Sequence, residues 1–367
     1  MSMKRNWGNR PWSVDFQAGK QSLPGEVDFA VIGGGFTGLS AAAWLKRLAA
    51  EKSVALFEVG TLGSGSSGHT GGVALAESAA GDLPGLGDVL AGYTRIVKEL
   101  DVDAELELPG CYELARTRPL PHSPIRWNDS GDLCATKEVP GGTIHPGKVV
   151  AGLARAAEQA GLLLFEKTGV AEVRFPGKVE LQTPGGVVRA GKALFATNAF
   201  ALDLTGLRGT AAPAFTTAMM TEPLKESVLR EIGLGERKPF YTVDLPYLWG
   251  RLLGNAVIFG CGLIFFEDWR GLDRLDIAQG EAPEVFARLE QRVKSFHPLL
   301  HDVKFTHRWG GPICIAADWK PVFQHHPQSK KALVLGAYSG HGVALSVYLG
   351  TWAAEVLLDR RELPDWT

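Results

Sequence analysis

The stretch of sequence that decides the fold is Val27-Asp28-Phe29-Ala30-Val31-Ile32-Gly33-Gly34-Gly35-Phe36-Thr37-Gly38. Its first six residues are mostly apolar and end at glycine, which predicts a central parallel strand buried on both faces. A helix is predicted directly after the glycines, and residues 53–57 predict a second strand that ends at Glu58. The order of strand, glycine turn, helix and strand predicts a βαβ unit.

The glycine turn matches the pattern G-x-G-x-x-G at Gly33, Gly35 and Gly38. Gly33 permits a tight turn, Gly35 leaves room for a pyrophosphate at the helix N-terminus, and Gly38 lets helix and strand pack closely. Glu58 ends the next strand, where a carboxylate accepts hydrogen bonds from ribose hydroxyls. The pattern predicts a dinucleotide site, and the alternative is a glycine turn without a ligand beside a surface Glu58.

A second glycine- and hydroxyl-rich segment distinguishes between the dinucleotides. It reads Gly60-Thr61-Leu62-Gly63-Ser64-Gly65-Ser66-Ser67-Gly68-His69-Thr70-Gly71-Gly72. A nicotinamide fold does not need such a segment there, whereas a flavin ring lying deep in the protein needs close approach of the backbone. The sequence therefore favours FAD over NAD.

Composition excludes several classes of protein. The chain has 367 residues, of which 45% are hydrophobic and 21% charged, so a soluble globular protein is predicted and disorder, collagen and coiled coil are excluded. A net charge of −2 without long runs of like charge argues against a nucleic-acid partner. The four cysteines are far apart and form no C-x-x-C pair, so neither a disulfide framework nor a metal site is predicted.

The most apolar stretch, residues 332–358, is interrupted by glycines near its start. It predicts a strand at 332–336, a loop, and a buried helix at 343–358 in place of a membrane span. Residues 1–11 are partly basic, but no apolar run follows them, so no secretory signal and a cytoplasmic location are predicted.

Six segments in order along the chain carry a resemblance to a known family. They are residues 31–42, Ser66-Ser67-Gly68-His69-Thr70-Gly71-Gly72, Ile144-His145-Pro146-Gly147-Lys148, Ala196-Thr197-Asn198-Ala199-Phe200, Trp309-Gly310-Gly311-Pro312-Ile313 and Ser339-Gly340-His341-Gly342-Val343. With these segments nearly the whole chain resembles the D-amino-acid-oxidase-like superfamily of FAD-dependent oxidoreductases, and above all its gamma-glutamylputrescine oxidase-like branch.

The resemblance implies an α/β (α+β) fold with two domains. A Rossmann-type FAD-binding domain with a parallel central sheet is expected from residues 26–77, 145–200 and 308–367. A substrate domain built on a large mixed or antiparallel β-sheet is expected from residues 78–144 and 201–307. The residues that the resemblance implies for FAD binding are Gly33, Gly35, Phe36, Thr37, Gly38, Glu58, Ser66, Ser67, Gly68, His69, Thr70, Gly71, Val170, Thr197, Asn198, Gly310, Gly340, His341, Gly342 and Val343.

The implied reaction is oxidation of the C–N bond of a small secondary or terminal amine, gamma-glutamylputrescine-like or sarcosine-like, with hydride transfer to flavin N5 and hydrolysis of the imine. Dioxygen or another electron acceptor then reoxidises the flavin. His69, Tyr247 and His341 are the catalytic candidates. The amine-oxidase branch commonly has arginine where this chain has His69, and a histidine at the like position carries FAD covalently in sarcosine and dimethylglycine dehydrogenases. Covalent attachment through His69 and a noncovalent contact therefore both stay open.

Many α-amino-acid oxidases of the superfamily hold the substrate carboxylate with an arginine at the position of Ile313. Its absence favours a secondary or terminal amine, but Arg251 or Arg308 could replace it, which keeps an amino-acid oxidase or deaminase open. A non-catalytic FAD-binding electron-transfer subunit is a further alternative, and a homo-oligomer is compatible with the sequence. The predicted substrate contacts are Tyr247, Trp249, Arg251 and Trp309. Of these, Tyr247 and Trp249 belong to an aromatic set, expected to supply part of the substrate wall, that also includes Tyr241, Phe259, Phe265, Phe266 and Trp269.

Overall fold

The computed structural model describes residues 5–244 and 247–366, and it contains the βαβ unit that the glycine-rich stretch predicts. The strands are β1 (Glu26–Ile32), β2 (Val54–Phe57), β3 (Val73–Leu75), β4 (Cys111–Ala115), β5 (Arg126–Asn128), β6 (Asp132–Val139), β7 (Gly141–Thr143), β8 (Leu163–Phe165), β9 (Glu172–Arg174), β10 (Val179–Thr183), β11 (Gly186–Phe195), β12 (Ala211–Thr221), β13 (Phe240–Thr242), β14 (Trp249–Leu253), β15 (Ala256–Phe265), β16 (Phe305–Ala316), β17 (Val322–His326) and β18 (Ser329–Gly336). The helices are α1 (Phe36–Leu48), α2 (Ser66–His69), α3 (Val89–Glu99), α4 (Pro146–Gln159), α5 (Leu202–Thr205), α6 (Glu226–Glu231), α7 (Arg270–Arg274), α8 (Ala282–Phe296) and α9 (Gly342–Leu357), with a 3-10 turn at Pro298–Leu300.

The first sheet has the strand order β17-β18-β11-β1-β2-β8, and the β9–β10 hairpin extends β11. β1 is parallel to both β11 and β2, with Ile32 opposite Phe195 and Phe57. The carboxyl ends of these three strands therefore meet at one edge, which is where open parallel sheets bind ligands.

The first sheet is buried on both faces, as its apolar sequence predicts. Val31 packs into a core formed with α1, α3, α4 and α9, whereas its neighbours Ala30 and Ile32 pack into a core shared with strands of the second sheet. The helices α1 and α9 approach closely, because a Cβ added at Gly350 would lie 2.7 Å from the carbonyl oxygen of Thr37. Ser40 Oγ also donates a hydrogen bond of 2.7 Å to the carbonyl of Val347.

The second sheet has the order β16-β12-β15-β14-β13-β4-β6-β5 and is antiparallel except at the β13–β4 pair. One face packs against α8 through Phe286, Leu289, Val293 and Phe296. β3 and β7 form a separate two-stranded sheet within the described residues. The predicted fold class, a Rossmann-type parallel sheet combined with a large mixed sheet, is confirmed.

The position of β16 does not follow the predicted division of the chain into a FAD-binding domain and a substrate domain. The boundary at residue 308 assigns most of β16 to the cofactor domain, but the strand belongs to the second sheet. It pairs with β12 from Ala211 opposite Ala316 to Thr221 opposite Phe305. Backbone pairing of this length decides sheet membership, whereas the sequence pattern of a β-strand does not name its partner. The remaining domain boundaries stay predictions.

α9 begins at Gly342 and ends at Leu357, close to the predicted helix at 343–358. It is apolar because it is packed inside the core with α1 and α3. Among residues 5–244 and 247–366, no helix combines the length and the apolar character needed to cross a membrane.

Candidate cofactor and substrate site

A cavity of about 930 Å³ lies between the carboxyl ends of β1, β2 and β11 and the second sheet. Ligand sites typically have volumes of roughly 300–1,000 Å³. The predicted cofactor residues that line it are Gly33, Gly35, Phe36, Thr37, Glu58, Ser66, Ser67, His69, Thr70, Val170, Thr197, Asn198, Gly310, Gly340, His341, Gly342 and Val343. Segments that are far apart in the sequence thus converge on one cavity.

The glycines of the first turn are required by geometry. Gly33 has φ of +112°, and an added Cβ would lie 2.5 Å from the carbonyl oxygen of Ala196. A Cβ on Gly38 would lie 2.0 Å from the carbonyl oxygen of Gly33. Gly38 therefore sits behind the turn, does not line the cavity, and permits the close packing of helix on strand that its position predicts.

Ser67 closes the amino end of α1. The backbone N–H of Phe36 donates a hydrogen bond of 2.9 Å to Ser67 Oγ. Gly35 leaves the space for this hydroxyl, since a Cβ there would lie 2.8 Å from Ser67 Oγ. The second glycine-rich segment is thereby tied to the first at a helix N-terminus, where donors for an anionic ligand are concentrated.

Glu58 lies at the edge of the cavity and is held by the turns around it. Its carboxylate accepts hydrogen bonds from the backbone N–H of Gly34 at 2.7 Å and of Gly60 at 2.8 Å. Burial raises the pKa of Glu58, and these two hydrogen bonds oppose that shift. A carboxylate accepts up to four hydrogen bonds, so Glu58 keeps acceptor capacity for ribose hydroxyls.

Asn198 connects three segments of the cavity wall. It adopts φ of +49°, a conformation that asparagine tolerates better than most residues. Its Nδ2 donates to Ser66 Oγ at 2.9 Å, and its Oδ1 accepts from the backbone N–H of Ala337 at 3.0 Å. Ser66 Oγ in turn donates to the carbonyl of Pro312 at 2.6 Å. One polar side chain therefore fixes α2, β16 and the end of β18 relative to one another.

His69 lines the cavity as a neutral imidazole. Its Nδ1 lies 2.8 Å from the carbonyl oxygen of Gly65, which can only accept, and 3.3 Å from Arg10 Nη1, which can only donate. The shorter contact favours the proton on Nδ1, which leaves a lone pair on Nε2. Burial lowers the pKa of His69 to about 3. The backbone carbonyl of His69 accepts from Trp309 Nε1 at 3.0 Å. A lone pair on Nε2 is compatible with both covalent and noncovalent contact, so the choice between them stays a prediction.

The segment before β1 covers His69, although its sequence pattern does not indicate that it belongs to the site. Arg10 Nη1 donates to the carbonyl of Gly68 at 2.7 Å, and Trp12 Nε1 donates to the same oxygen at 2.8 Å. The ring of Trp7 meets that of His69 edge-on, with centroids 5.1 Å apart. The only signal in the sequence is a cluster of tryptophan and arginine without helix or strand periodicity, which predicts no partner.

Replacing His69 with glutamine is expected to reduce the loss of stability in acid. The folded-state pKa of about 3 lies below the ordinary value of 6.5, so the unfolded chain binds more protons between these values. The contribution of His69 is intact above about pH 6.5 and is lost as the pH falls, by up to roughly 1.4 kcal/mol for each pH unit. Denaturant unfolding of wild type and His69→Gln across this range measures the difference.

His301→Gln is the matched control for the measurement of stability against pH, because the His301 side chain is 78% exposed and contacts Asp302 at the surface. Parallel stability curves for wild type and His69→Gln would show that His69 is not held neutral by the fold.

The amino end of α9 reaches the cavity through Gly340, His341 and Gly342. Gly340 has φ of +91° and open space where a Cβ would lie. Burial lowers the pKa of His341, and its Nδ1 is buried without a partner among the described residues. The positive end of the helix dipole therefore faces the cavity beside a neutral histidine.

Tyr247 and Trp249, two of the predicted substrate contacts, line the cavity. Burial raises the pKa of Tyr247, so its hydroxyl stays protonated at neutral pH and can donate a hydrogen bond but cannot act as a base. The ring of Trp249 packs against the backbone of Gly71 and Gly260, because a Cβ added at either glycine would fall 2.0 Å from it.

Four other predicted residues lie behind the cavity wall. Gly71 is covered by Trp249, and Gly68 packs on the carbonyl oxygen of Gly63, which a Cβ would approach to 2.1 Å. Trp309 is fully buried against Trp12, with ring centroids 5.6 Å apart. Arg251 is only 4% exposed and does not line the cavity. We therefore correct the expectation that Trp309 and Arg251 contact the substrate directly, since neighbouring rings cover both.

The other aromatic residues predicted for the substrate wall also divide into residues that line the cavity and residues that do not. Tyr241 and Trp269 line the cavity, whereas Phe259 is fully buried in the core and Phe265 is 60% exposed at the surface. Phe266 packs at the edge of a hydrophobic core. Residue type alone could not separate wall from core, because both are apolar.

Positive charge is scarce on the cavity wall. Within the described ranges, Arg5 is the one lysine or arginine side chain that lines the cavity. It lies 3.5 Å from Asp273 and 3.5 Å from the carbonyl oxygen of Ser64, at the end of the cavity near Glu58. The other candidate, Arg308, is instead paired with Glu290 at 2.6 Å. Cys314 also lines the cavity, and burial raises its pKa to about 12, so it remains a thiol.

The cavity fits a polar dinucleotide that carries an aromatic ring system. Thr197 Oγ1 and Ser346 Oγ are buried on its wall without partners among the described residues, which is costly unless a ligand satisfies them. The backbone N–H groups at the start of α1 suit a pyrophosphate, and Glu58 suits a ribose. The glycine turns around α2 and before α9 leave room for a flat ring.

Comparison with known proteins gives relatives along nearly the whole chain. The probable oxidoreductase OrdL of Rhizobium meliloti is 25% identical over 92% of this chain and 85% of its own length. Gamma-glutamylputrescine oxidoreductase of Escherichia coli is 25% identical over 90% of this chain and 83% of its own length. The glycine oxidase of Geobacillus kaustophilus is 24% identical over 91% of this chain and 93% of its own length.

Solved structures show the same fold. The crystal structure of glycine oxidase from Geobacillus kaustophilus matches with a TM-score of 0.72 and 20% identity, covering 94% of this chain and 98% of that one. L-proline dehydrogenase from P. horikoshii matches with a TM-score of 0.74 and 17% identity, covering 93% of this chain and 95% of that one. The family model for FAD-dependent oxidoreductases of the DAO type matches residues 28–356. Because that match spans most of the sequence, the chain belongs to the DAO family of FAD-dependent oxidoreductases, enzymes that act on C–N substrates, and its cofactor is FAD.

Proposed function

We propose that this enzyme oxidises a small secondary or terminal amine that carries no α-carboxylate. The observation that supports this most is the distribution of charge on the cavity wall. The one lysine or arginine among the described lining residues, Arg5, lies near Glu58 at the end of the cavity suited to ADP. A substrate carboxylate at the flavin end would lack a cationic partner, which is costly in a buried site.

When bound, FAD would accept the one hydride, equivalent to a proton and two electrons, that leaves the amine-bearing carbon. Water would then hydrolyse the resulting imine to a carbonyl compound and the released amine or ammonia. In our proposal, Gly33, Gly35 and Glu58 hold the ADP half. Ser67, His69 and the 340–342 turn hold the flavin half, where the amino end of α9 stabilises negative charge. Dioxygen is the proposed electron acceptor.

The aromatic side chains that line the cavity have a chemical role in this proposal. An alkylammonium ion with a lysine-like pKa of ~10.4 must lose its proton before hydride leaves the neighbouring carbon. This loss of the proton costs roughly 4–5 kcal/mol at neutral pH. Desolvation against Tyr247 and Trp249 lowers the pKa of the bound amine. His341 is neutral and Tyr247 is protonated, so we assign neither the role of a strong base.

Anaerobic titration of the holoenzyme with a panel of amines, followed by flavin bleaching, tests the proposal. We expect at least one secondary or terminal amine to bleach the flavin, with a carbonyl product formed in equal amount. If every amine fails while an artificial electron donor such as dithionite bleaches the flavin, the proposal is wrong, and the alternative of a non-catalytic electron-transfer subunit gains support.

An amino-acid oxidase is the second candidate, and one observation favours it. Arg251 Nε and Nη2 are buried without partners among the described residues, on the face of β14 that also carries Trp249. Burial lowers the pKa of Arg251 to about 10, so it remains charged. The ring of Trp12 lies 5.9 Å from the guanidinium and Arg251 does not line the cavity, so an amino acid could use this charge only after a rearrangement of the wall. This candidate predicts that bleaching by glycine, sarcosine or D-amino acids is lost in Arg251→Met.

A further inference from the structure

Glu77 is the charged group on the cavity wall that the proposed reaction leaves without a role. It follows β3 and lines the cavity beside Tyr241 and His341. Unlike Arg5 and Asp273, which pair with each other, Glu77 has no lysine, arginine or histidine within ion-pair distance among residues 5–244 and 247–366. A half-buried carboxylate without a counter-ion in a closed site is costly unless a ligand supplies the charge.

Tyr241 holds the Glu77 carboxylate in place from the second sheet. Its hydroxyl lies 2.7 Å from Glu77 Oε1 and 3.0 Å from Glu113 Oε1. Burial, followed by the hydrogen bond to Glu77, raises the pKa of Tyr241, so the hydroxyl keeps its single proton. That proton can be donated to one carboxylate at a time, and Lys137 lies 3.4 Å from Glu113. The uncompensated negative charge therefore remains at Glu77.

The surroundings of Glu77 suit a cation. The rings of Tyr241, Tyr247 and Trp249 line the same cavity, and aromatic faces attract ammonium groups. His341 contributes no positive charge, because burial lowers its pKa, and its buried Nδ1 has no partner among the described residues. Ser346, only 5% exposed, also presents an unpartnered hydroxyl oxygen to the cavity. These polar atoms can accept or donate hydrogen bonds once a ligand is bound.

We propose that the substrate carries two amine nitrogens: one, in its neutral form, at the C–N bond that is oxidised at the flavin, and a second, cationic one that is bound by Glu77. This inference rests on the proposed amine oxidation and specifies its substrate class as a diamine or a longer polyamine. Tyr241 is the positioning residue, because it orients the carboxylate toward the cavity and joins β3 to β13. A charge-assisted hydrogen bond of this kind changes binding about tenfold to a hundredfold.

The test compares α,ω-diamines with monoamines of the same chain length in anaerobic flavin reduction by the holoenzyme. We expect wild type to favour the diamine about tenfold to a hundredfold in kcat/KM. Glu77→Gln should remove most of this preference by lowering kcat/KM for the diamine much more than for the monoamine, since glutamine still accepts the Tyr241 hydrogen bond but carries no charge.

Glu236→Gln is the matched control. Glu236 Oε2 likewise accepts a hydrogen bond from a tyrosine, Tyr112, at 2.9 Å, but it pairs with Lys238 away from the cavity. This variant should keep the diamine preference of wild type. Equal losses for diamine and monoamine in Glu77→Gln, with the preference intact, would overturn the inference.

A binding measurement on wild type keeps this test independent of variants and of turnover. Unreactive bis-quaternary and mono-quaternary ammonium ions are titrated against the visible flavin spectrum of the holoenzyme. A quaternary ion has no N–H to donate, so this measurement tests the attraction between its charge and the Glu77 carboxylate. Tighter binding of the bis-quaternary ion by about tenfold or more supports the role of Glu77 even if no amine is oxidised. Equal affinities would contradict that role, whereas failure of every amine to reduce the flavin contradicts only the proposed function.

Discussion

Gly38→Ala is expected to abolish tight FAD binding. The new Cβ would lie 2.0 Å from the carbonyl oxygen of Gly33 and 3.1 Å from Val31 Cγ1. The first contact is with backbone, so no side-chain rotation can relieve it, and α1 must move away from β1. Overpacking of this kind costs about 1–3 kcal/mol or more. Because the start of α1 is the proposed pyrophosphate site, a cost at the upper end of this range, about 3 kcal/mol, would lower the affinity for FAD roughly 150-fold.

Titration of deflavinated protein with FAD, followed by flavin fluorescence, measures this effect. Gly25→Ala is the control, because Gly25 lies just before β1 and an added Cβ there would meet nothing within 4 Å. That substitution should change stability by no more than about 0.5 kcal/mol. Unchanged FAD affinity in Gly38→Ala would show that the turn is not the pyrophosphate site.

Asp129→Ala, in the turn between β5 and β6, is expected to be strongly destabilising. Asp129 is 3% exposed and accepts hydrogen bonds from Arg116 Nη2 at 2.6 Å and from Arg292 Nη2 at 2.7 Å. Removing one partner of a buried ion pair costs about 3–5 kcal/mol, because the charge left behind stays desolvated. Here the substitution leaves two guanidinium groups without their shared carboxylate.

The same substitution should also affect the cavity. Arg116 binds Asp244 at 2.8 Å, and Arg292 Nη1 donates to the carbonyl of Tyr247 at 2.9 Å. Asp129 therefore anchors the partners of Asp244 and Tyr247, and Tyr247 lines the cavity. We expect a higher KM for amine as well as a lower midpoint of denaturation.

Asp302→Ala is the control for this prediction, since the Asp302 side chain is 97% exposed. Denaturant unfolding and amine kinetics of both variants provide the measurement. A loss of stability in Asp129→Ala no larger than in Asp302→Ala would contradict the assigned role.

The elements that could be predicted from the sequence are those whose local pattern of apolar residues and glycines indicates whether they are buried. β1 and α9 are continuous apolar segments next to glycine turns, and such segments fold stably only when buried on all sides. Gly33 and Gly38 could be assigned because a positive φ and a close helix–strand contact both require glycine.

The parts that could not be predicted depend on contacts between distant segments. Trp309 and Arg251 carry the side chains of a substrate site, but Trp12 packs against Trp309 and lies 5.9 Å from the Arg251 guanidinium, behind the wall. Glu77 follows an ordinary short strand, and its importance arises only when Tyr241 from β13 meets it. No periodicity in the sequence encodes such long-range pairs.

The most direct test of the central claim is single-turnover flavin reduction by an amine and by its α-carboxylated counterpart, under anaerobic conditions and at equal concentration. With Arg5 as the one lysine or arginine among the described lining residues, we predict that the amine reduces the flavin at least about tenfold faster. Faster reduction by the amino acid would contradict the account, because it would require a cationic carboxylate site at the flavin end of the cavity.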